Sequence, residues 1–231
     1  MFLKKPQMLL FDLDGTLVDS VPDLAFSVDI MMEKMGRPVC GDERVRNWVG
    51  NGVERLVRRA LTGAVEGEPD EVDFEKAYPL FMAAYAKHNG KRSRLYPQVK
   101  ETLTALETAG YQMGCVTNKA AAFTLPLLKQ MGIFDHFKTV VSGDTLPKKK
   151  PDPMPLLHAA SFFGVAPEKS LMIGDSINDV KAARAAGFEI ACMTYGYNHG
   201  VDIREAKPDA VMDCMSELPE LLNQSFLKTA S

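Results

Sequence analysis

The sequence predicts an α/β fold: a Rossmann-like, three-layer parallel-sheet core carrying an inserted all-helical cap. Three observations predict it. Short apolar runs of strand length recur along the chain, and helix-like segments with one apolar face alternate with them. From about residue 18 to residue 93 that alternation gives way to three consecutive helical patterns. Strands alternating with helices argue for parallel pairing through right-handed crossovers. A block of helices placed after the first strand reads as a cap over the edge of the sheet that binds ligands. The expected division is a core of residues 1–17 and 94–231 and a cap of residues 18–93.

The first strand is "MLLFDLD", residues 8–14, in which four apolar residues run straight into Asp12 and Asp14. Asp14-Gly15 between apolar runs is a hairpin signal, because Gly accepts the positive φ of such turns. The competing reading places both acids at the carboxyl end of a central parallel strand, where open α/β sheets hold their ligands. Residues two apart in an extended chain share a face, so the two carboxylates could converge on one ligand. On this stretch alone both readings stand.

The helical block follows. Leu24, Val28, Met31 and Met35 form one stripe; Val53, Leu56, Val57, Ala60 and Leu61 a second; Phe74, Ala77, Tyr78, Phe81, Met82 and Tyr85 a third. Apolar residues at this spacing are packing faces. "TGAVEGEPDEVD" marks a loop between the second and third. Gly50, Asn51 and Gly52 either form a loop at the cap–core boundary or punctuate two helices.

Beyond residue 93 the strand-like runs are "YQMGCVTN", "TVVSGD", "SLMIGDS", "EIACMTYG" and "DAVMDCM". The segments 99–109 and 178–186 are helix-like, and Gly110 and Gly187 close them as C-terminal caps favour. Pro126 inside "AAFTLPLLKQM" predicts a kink or a late helix start.

Bulk properties narrow the function classes. The chain has 231 residues, 46% hydrophobic and 25% charged, the profile of a soluble globular protein. A net charge of −3 gives no basis for nucleic-acid binding or a polybasic membrane contact. The opening "MFLKKPQMLLF" imitates a signal peptide, but its apolar run is too short and Asp12 and Asp14 interrupt it. No segment approaches the ~20 apolar residues of a membrane span. Cys40, Cys115, Cys192 and Cys214 show neither a CxxC pair nor zinc-ligand spacing. Core thiols in a reducing cytoplasm are the expectation. Oligomeric state is not legible.

Four polar clusters fall at or just beyond the carboxyl ends of expected strands. They are Asp12 with Asp14, Thr117 with Asn118, Lys150 directly before Pro151, and the run Gly174, Asp175, Ser176, Asn178 and Asp179. Strand ends on one edge of a parallel sheet are neighbours in space. Crowded carboxylates repel unless a cation joins them, and hard oxygen donors suit Mg²⁺. A metal, a lysine and a hydroxyl suit an oxyanion such as phosphate. A carboxylate can also attack phosphorus and divide one hard step into two. Each cluster has a plainer reading: Thr117-Asn118 as a helix N-cap, Lys148 and Lys149 as a solvated loop, "GDSIND" as a capped helix start. Their arrival in order on alternate strand ends favours the site.

These motifs resemble the haloacid dehalogenase-like hydrolase superfamily, whose signature is DxDGT, then Ser or Thr, then Lys, then an acidic GDxxxD. Within it, "VRNWVGNGVERLV", "RLYPQVKETL", "TNK", "SGDTLPKKKPDP", "GDSINDVKAARAAG" and "YGYNHG" are similar to the bacterial phosphoglycolate phosphatase family. The resemblance implies Asp12 as nucleophile and Mg²⁺ ligand. It implies Asp14 as general acid and base, lending its backbone carbonyl to the metal. Thr117 would hydrogen-bond the phosphoryl oxygens with loop amides near Leu13 and Asn118, and Lys150 would offset negative charge. Asp175 would bind the metal, with Asp179 behind it orienting Lys150 or a metal-bound water. The implied partner is a small phosphorylated metabolite, 2-phosphoglycolate first. The alternatives are a β-phosphoglucomutase-type sugar-phosphate mutase, a broad-specificity phosphatase and, least favoured, a non-catalytic phosphate-binding protein. Arg44, Arg46, Arg55, Arg58, Arg59, Lys87 and Arg92 are all candidate partners for a substrate carboxylate, and the sequence does not choose among them. His199 reads as structural.

Overall fold

In chain order the computed structural model, which describes residues 5–224, begins with β1 (Met8–Phe11) and β2 (Val18–Asp19). Four helices follow: α1 (Val21–Lys34), α2 (Gly41–Arg46), α3 (Val53–Thr62) and α4 (Glu71–His88). Then come β3 (Arg94–Leu95), α5 (Val99–Thr108), β4 (Gln112–Val116), α6 (Ala121–Gln130), β5 (Thr139–Val141) and α7 (Met154–Phe163). The chain closes with β6 (Ser170–Gly174), α8 (Ile177–Ala186), β7 (Glu189–Met193), β8 (Ala210–Met212) and α9 (Leu218–Gln224). Residues 1–4, which open the leader-like run, and residues 225–231 lie outside the described part. Among the described residues no helix is long and apolar enough to cross a membrane.

Six strands form one parallel sheet in the order β5-β4-β1-β6-β7-β8. β1 is central and buried on both faces, which explains its unbroken apolar run. Leu9 and Phe11 face the layer of α5, α6 and α9. Met8 and Leu10 face α7 and α8, as the two-residue period of a strand requires. The order reverses at β1, the switch point where doubly wound sheets open a crevice. The hairpin reading of Asp14-Gly15 is thereby excluded, because both neighbours of β1 run parallel to it.

All six expected sheet strands form, and the helix-like segments after residues 98 and 176 are helices. Gly110 and Gly187 adopt positive φ at their ends. The late start expected at Pro126 and the count of helices before residue 93 need correction. Pro126 neither delays nor interrupts α6, which starts at Ala121 and continues through it. Phe123, Thr124, Leu127 and Leu128 are buried, and this packing offsets the lost backbone bond. A further helix, α2, has only six residues and too little sequence to show a period.

Helices α1 to α4 share a hydrophobic cluster of their own, built from the three stripes and joined by Phe123 and Tyr197 from the sheet-bearing part. The chain leaves and re-enters the sheet layer side by side, through the antiparallel pair β2 and β3. Asp23 ties these crossings together. Fully buried in the first turn of α1, it accepts from the amides of Gly90, Arg92 and Ser93 at 2.8–3.0 Å and from the Ser93 hydroxyl. Asp23→Ala would leave those donors buried without an acceptor. Urea unfolding is expected to show a loss of roughly 3–5 kcal/mol, and a loss below about 1 kcal/mol would refute the clamp.

Candidate active site

The site sits where β1, β4 and β6 end. Asp12 follows β1, its amide donating to the Ile173 carbonyl at 2.9 Å, so the ladder to β6 continues into the site. Asp12 Oδ1 accepts from the Leu13 amide at 2.7 Å and pairs with Lys150 Nζ at 2.9 Å. Lys150 Nζ also donates to Asp179 Oδ1 and to the Val116 carbonyl, each at 2.7 Å. Three N–H bonds thus face three acceptors, and the ammonium is saturated.

Asp175 comes from the turn between β6 and α8, and Asp179 from the first turn of α8. Asp179 is fully buried, and its Oδ2 accepts from the amides of Asp175 and Ser176 and from the Ser176 hydroxyl. The capped-start reading of "GDSIND" is therefore correct and does not compete with the site: one Asp179 oxygen caps α8 while the other holds Lys150. Asp175 accepts from the Thr16 hydroxyl and the Tyr197 amide, both at 2.6 Å. Its carboxylate is walled by glycine. A Cβ at Gly15, which has φ +88°, would lie 2.3 Å from Asp175 Oδ2, and one at Gly196 would lie 2.2 Å from Asp175 Cβ.

One oxygen from each of Asp12, Asp175 and Asp179 falls within 4.8 Å of the others. Burial pushes Asp12 up to about 7, with Asp179 adding to the rise and Lys150 opposing it. Burial, then Asp179 and Asp12, push Asp175 well above the usual carboxylate range. Lys150 stays charged: burial disfavours its ammonium, but Asp12 and Asp179 hold it above the ordinary lysine range. Clustered all-oxygen donors short of positive charge suit a hard divalent cation. Asp12 and Asp175 are the better-placed ligands, since Asp179 is already committed to Lys150 and the α8 cap.

Thr117 and Asn118 follow β4. Neither caps α6, whose N-cap is Ala120. Thr117 Oγ accepts from the Lys119 amide at 3.2 Å, and Asn118 Nδ2 donates to the Lys150 carbonyl at 2.8 Å. Leu13, Asp14, Thr117, Asn118, Lys150 and Asp175 thus cluster with Asp12 at one sheet edge.

The sequence did not single out Lys119, which lies next to Asn118 yet spans to Asp14. Its Nζ is 3.0 and 3.2 Å from the two Asp14 oxygens and also contacts the Tyr85 hydroxyl of α4. Burial opposes the charge, but Asp14 and then Tyr85 hold Lys119 above the ordinary lysine range. Burial raises Tyr85 itself to about 12, keeping it a neutral phenol. The only available signal was a lysine placed directly after a strand-end Thr-Asn. Thr16, Tyr85 and Tyr197 fell within DxDGT, the third apolar stripe and "YGYNHG", with nothing to link them to Asp175, Lys119 or one another.

A cleft lies over these groups, roofed by Val49, Gly50, Asn51, Gly52, Val53 and Leu56. The Gly50–Gly52 stretch is therefore part of the site. Arg59, buried in α3, braces it by donating to the carbonyls of Trp48 and Gly50 and to Asn51 Oδ1. Lys149 is not merely solvated, since its Nζ donates across to the Asn51 carbonyl at 2.9 Å. Lys148 makes an exposed pair with Asp152. His199 Nδ1 lies 2.9 Å from the Asn47 carbonyl.

None of the seven cap cations lines the cleft. Arg46 pairs with Asp19, Arg55 with Glu66 and Glu68, and Arg58 with Glu71.

Comparison with known proteins places this geometry in a family. The family model of haloacid dehalogenase-like hydrolases matches residues 9–193. The phosphoglycolate phosphatase of Nitrosococcus oceani is 62% identical over 223 residues, covering 96% of this chain and 99% of that one. That of Nitrosospira multiformis is 47% identical, covering 94% and 96%. The crystal structure of a predicted phosphoglycolate phosphatase from Haemophilus somnus superposes with a TM-score of 0.89 at 37% identity, covering 95% of this chain and 99% of that chain.

Proposed function

The chain belongs to the haloacid dehalogenase-like hydrolases, and from that premise we propose that it is a Mg²⁺-dependent phosphatase that hydrolyses 2-phosphoglycolate to glycolate and phosphate. The observation that carries this reading is the convergence of Asp12, Asp14, Thr117, Lys150 and Asp175 on one roofed cleft. The similarity to the phosphoglycolate phosphatases of Nitrosococcus oceani and Nitrosospira multiformis supports the choice of substrate.

Asp12 Oδ2 attacks phosphorus while Oδ1 stays on Lys150 and the Leu13 amide, which fixes the carboxylate plane. The P–O ester bond breaks, Asp14 gives its proton to the departing glycolate oxygen, and an aspartyl-phosphate remains on Asp12. Asp14 then takes a proton from water as that water attacks phosphorus, releasing phosphate and restoring Asp12. Thr117 donates its hydroxyl hydrogen to a phosphoryl oxygen. Lys150 stabilises the charge gathering between Asp12 and the phosphoryl group. Asp12, Asp175 and the backbone carbonyl of Asp14 would hold Mg²⁺, which when bound supplies positive charge against the phosphoryl oxygens. The roof at Val49–Leu56 keeps bulk water from competing with these groups.

The test compares kcat/KM for 2-phosphoglycolate, ethyl phosphate, glycerol phosphates and β-glucose 1-phosphate. 2-Phosphoglycolate is expected to lead by about 10²-fold or more, because a site built for its carboxylate rejects analogues lacking it. Conversion of β-glucose 1-phosphate to glucose 6-phosphate as the fastest reaction would overturn hydrolysis in favour of the mutase.

A further inference from the structure

We infer that Lys119 is the residue that selects the substrate, receiving on its buried ammonium a carboxylate attached one carbon from the ester oxygen. The assignment rests on the phosphatase reading above and names the substrate class that the same site takes: short phosphate monoesters of 2-hydroxy acids.

The cleft has few cations of its own. Only Lys119 and Lys150 line it among the described residues. Lys150 has no donor left, because the Val116 carbonyl, Asp179 and Asp12 lie within 2.9 Å of its Nζ, one acceptor for each of its three hydrogens. Arg46, Arg55 and Arg58 are spent on carboxylates, and Arg59 on the carbonyls of Trp48 and Gly50, and none of them lines the cleft. Lys119 remains. Two of its hydrogens go to the two oxygens of a single carboxylate, Asp14, and the third to Tyr85. A second carboxylate entering beside Asp14 can replace one of those two bonds without leaving the ammonium unpaired.

Position points the same way. Asp14 has to reach the leaving oxygen, and Lys119 Nζ stands 3.0 Å from Asp14. In 2-phosphoglycolate one methylene separates the leaving oxygen from the carboxylate, so a molecule held with that oxygen at Asp14 carries its carboxylate to the Lys119 side. The lysine is fixed for the task. Its amide donates to Thr117 Oγ, and its carbonyl accepts from the Gly143 amide at 2.8 Å and the Thr124 hydroxyl at 3.0 Å. A side chain reaching inward from a backbone pinned at three points loses little freedom on binding. Tyr85 brings a group from α4 onto the same ammonium, so the site is complete only with the helices α1 to α4 in place over the sheet.

The experiment measures, for wild type, Lys119→Met and Lys119→Arg, the ratio of kcat/KM for 2-phosphoglycolate to that for ethyl phosphate, in which a methyl replaces the carboxylate. A ratio is insensitive to the fraction of folded enzyme. The wild-type ratio is expected at about 10²-fold or more. Lys119→Met should bring it to within about tenfold of unity, with Lys119→Arg retaining most of it, since either cation can pair the carboxylate. Binding without turnover gives a second reading: the preference for 3-phosphonopropionate over propylphosphonate as inhibitors should collapse in Lys119→Met. A ratio kept in Lys119→Met, including parallel losses on both substrates, would overturn the assignment and make Lys119 a positioning residue for Asp14. A wild-type ratio near one would overturn the phosphoglycolate reading itself, and the assignment with it.

Discussion

Asp12→Asn is expected to lower turnover of the best substrate by about 10⁴–10⁶-fold, the scale on which loss of a nucleophile is felt, while leaving the fold intact. The geometry separates the two outcomes. An amide oxygen cannot form the acyl phosphate, so chemistry stops. The fold tolerates the change because burial already disfavours the charge of Asp12, raising it to about 7, and Asn removes that charge. Lys150 keeps Asp179 and the Val116 carbonyl as partners at 2.7 Å. Circular dichroism should be unchanged and the melting temperature of the metal-free protein should be equal or higher. Turnover near the wild-type level would overturn the nucleophile assignment. Turnover lost together with the fold would show that the Asp12–Lys150 pair is structural.

Removal of Mg²⁺ is expected to have the second largest effect, a fall of about 10³-fold or more in turnover with excess chelator, reversed by added Mg²⁺; a metal worth several kcal/mol to the transition state implies that scale. The same carboxylates predict a pH signature in stability. Asp12 binds its proton more tightly folded than unfolded, having risen from 3.8 to about 7. A raised acid favours the folded state at low pH, and that contribution is lost as pH climbs from about 4 through 7. Asp175 is shifted in the same direction, by burial first and its acidic neighbours next. The metal-free protein should therefore lose stability across this window. Mg²⁺ binds the deprotonated carboxylates, so its stabilising effect should grow over the same range. With Mg²⁺ about a hundredfold above its dissociation constant, the gain is about 2.7 kcal/mol, or roughly 5–10 °C in Tm for a chain of this size. Scans at pH 5 and pH 7.5 should show a small gain at the lower value and the full gain at the higher. Full turnover in chelator, or a Mg²⁺ gain larger at pH 5, would remove the metal from Asp12 and Asp175.

The division between what was legible and what was not follows the range of the interactions. Strand ends, capping glycines and apolar stripes are local: each depends on residues within about a turn or a strand of one another. The six strands of the sheet, the three helical stripes and the acids at Asp12, Asp14, Asp175 and Asp179 could therefore be read directly. That the strands are parallel also followed, since helices alternate with them, and parallel order is what places four separate clusters on one edge. Two local signals misled. Asp14-Gly15 imitates a hairpin, and Pro126 imitates a helix boundary; in both cases packing of the surrounding apolar residues outweighs the short-range preference.

Partnership among charged side chains is not local, and only the tertiary structure decided it. The sequence offered seven cationic candidates for a substrate carboxylate, and folding assigns Arg46, Arg55 and Arg58 to carboxylates and Arg59 to backbone carbonyls. Lys119 meets Asp14 across 105 positions of sequence and Tyr85 across 34. No periodicity spans such separations. They are set by which strand lies beside β1 and by where α4 docks above it. A lysine is pulled out of water only where an anion waits to receive it, and the sequence alone contains the lysine and the anion without the distance between them.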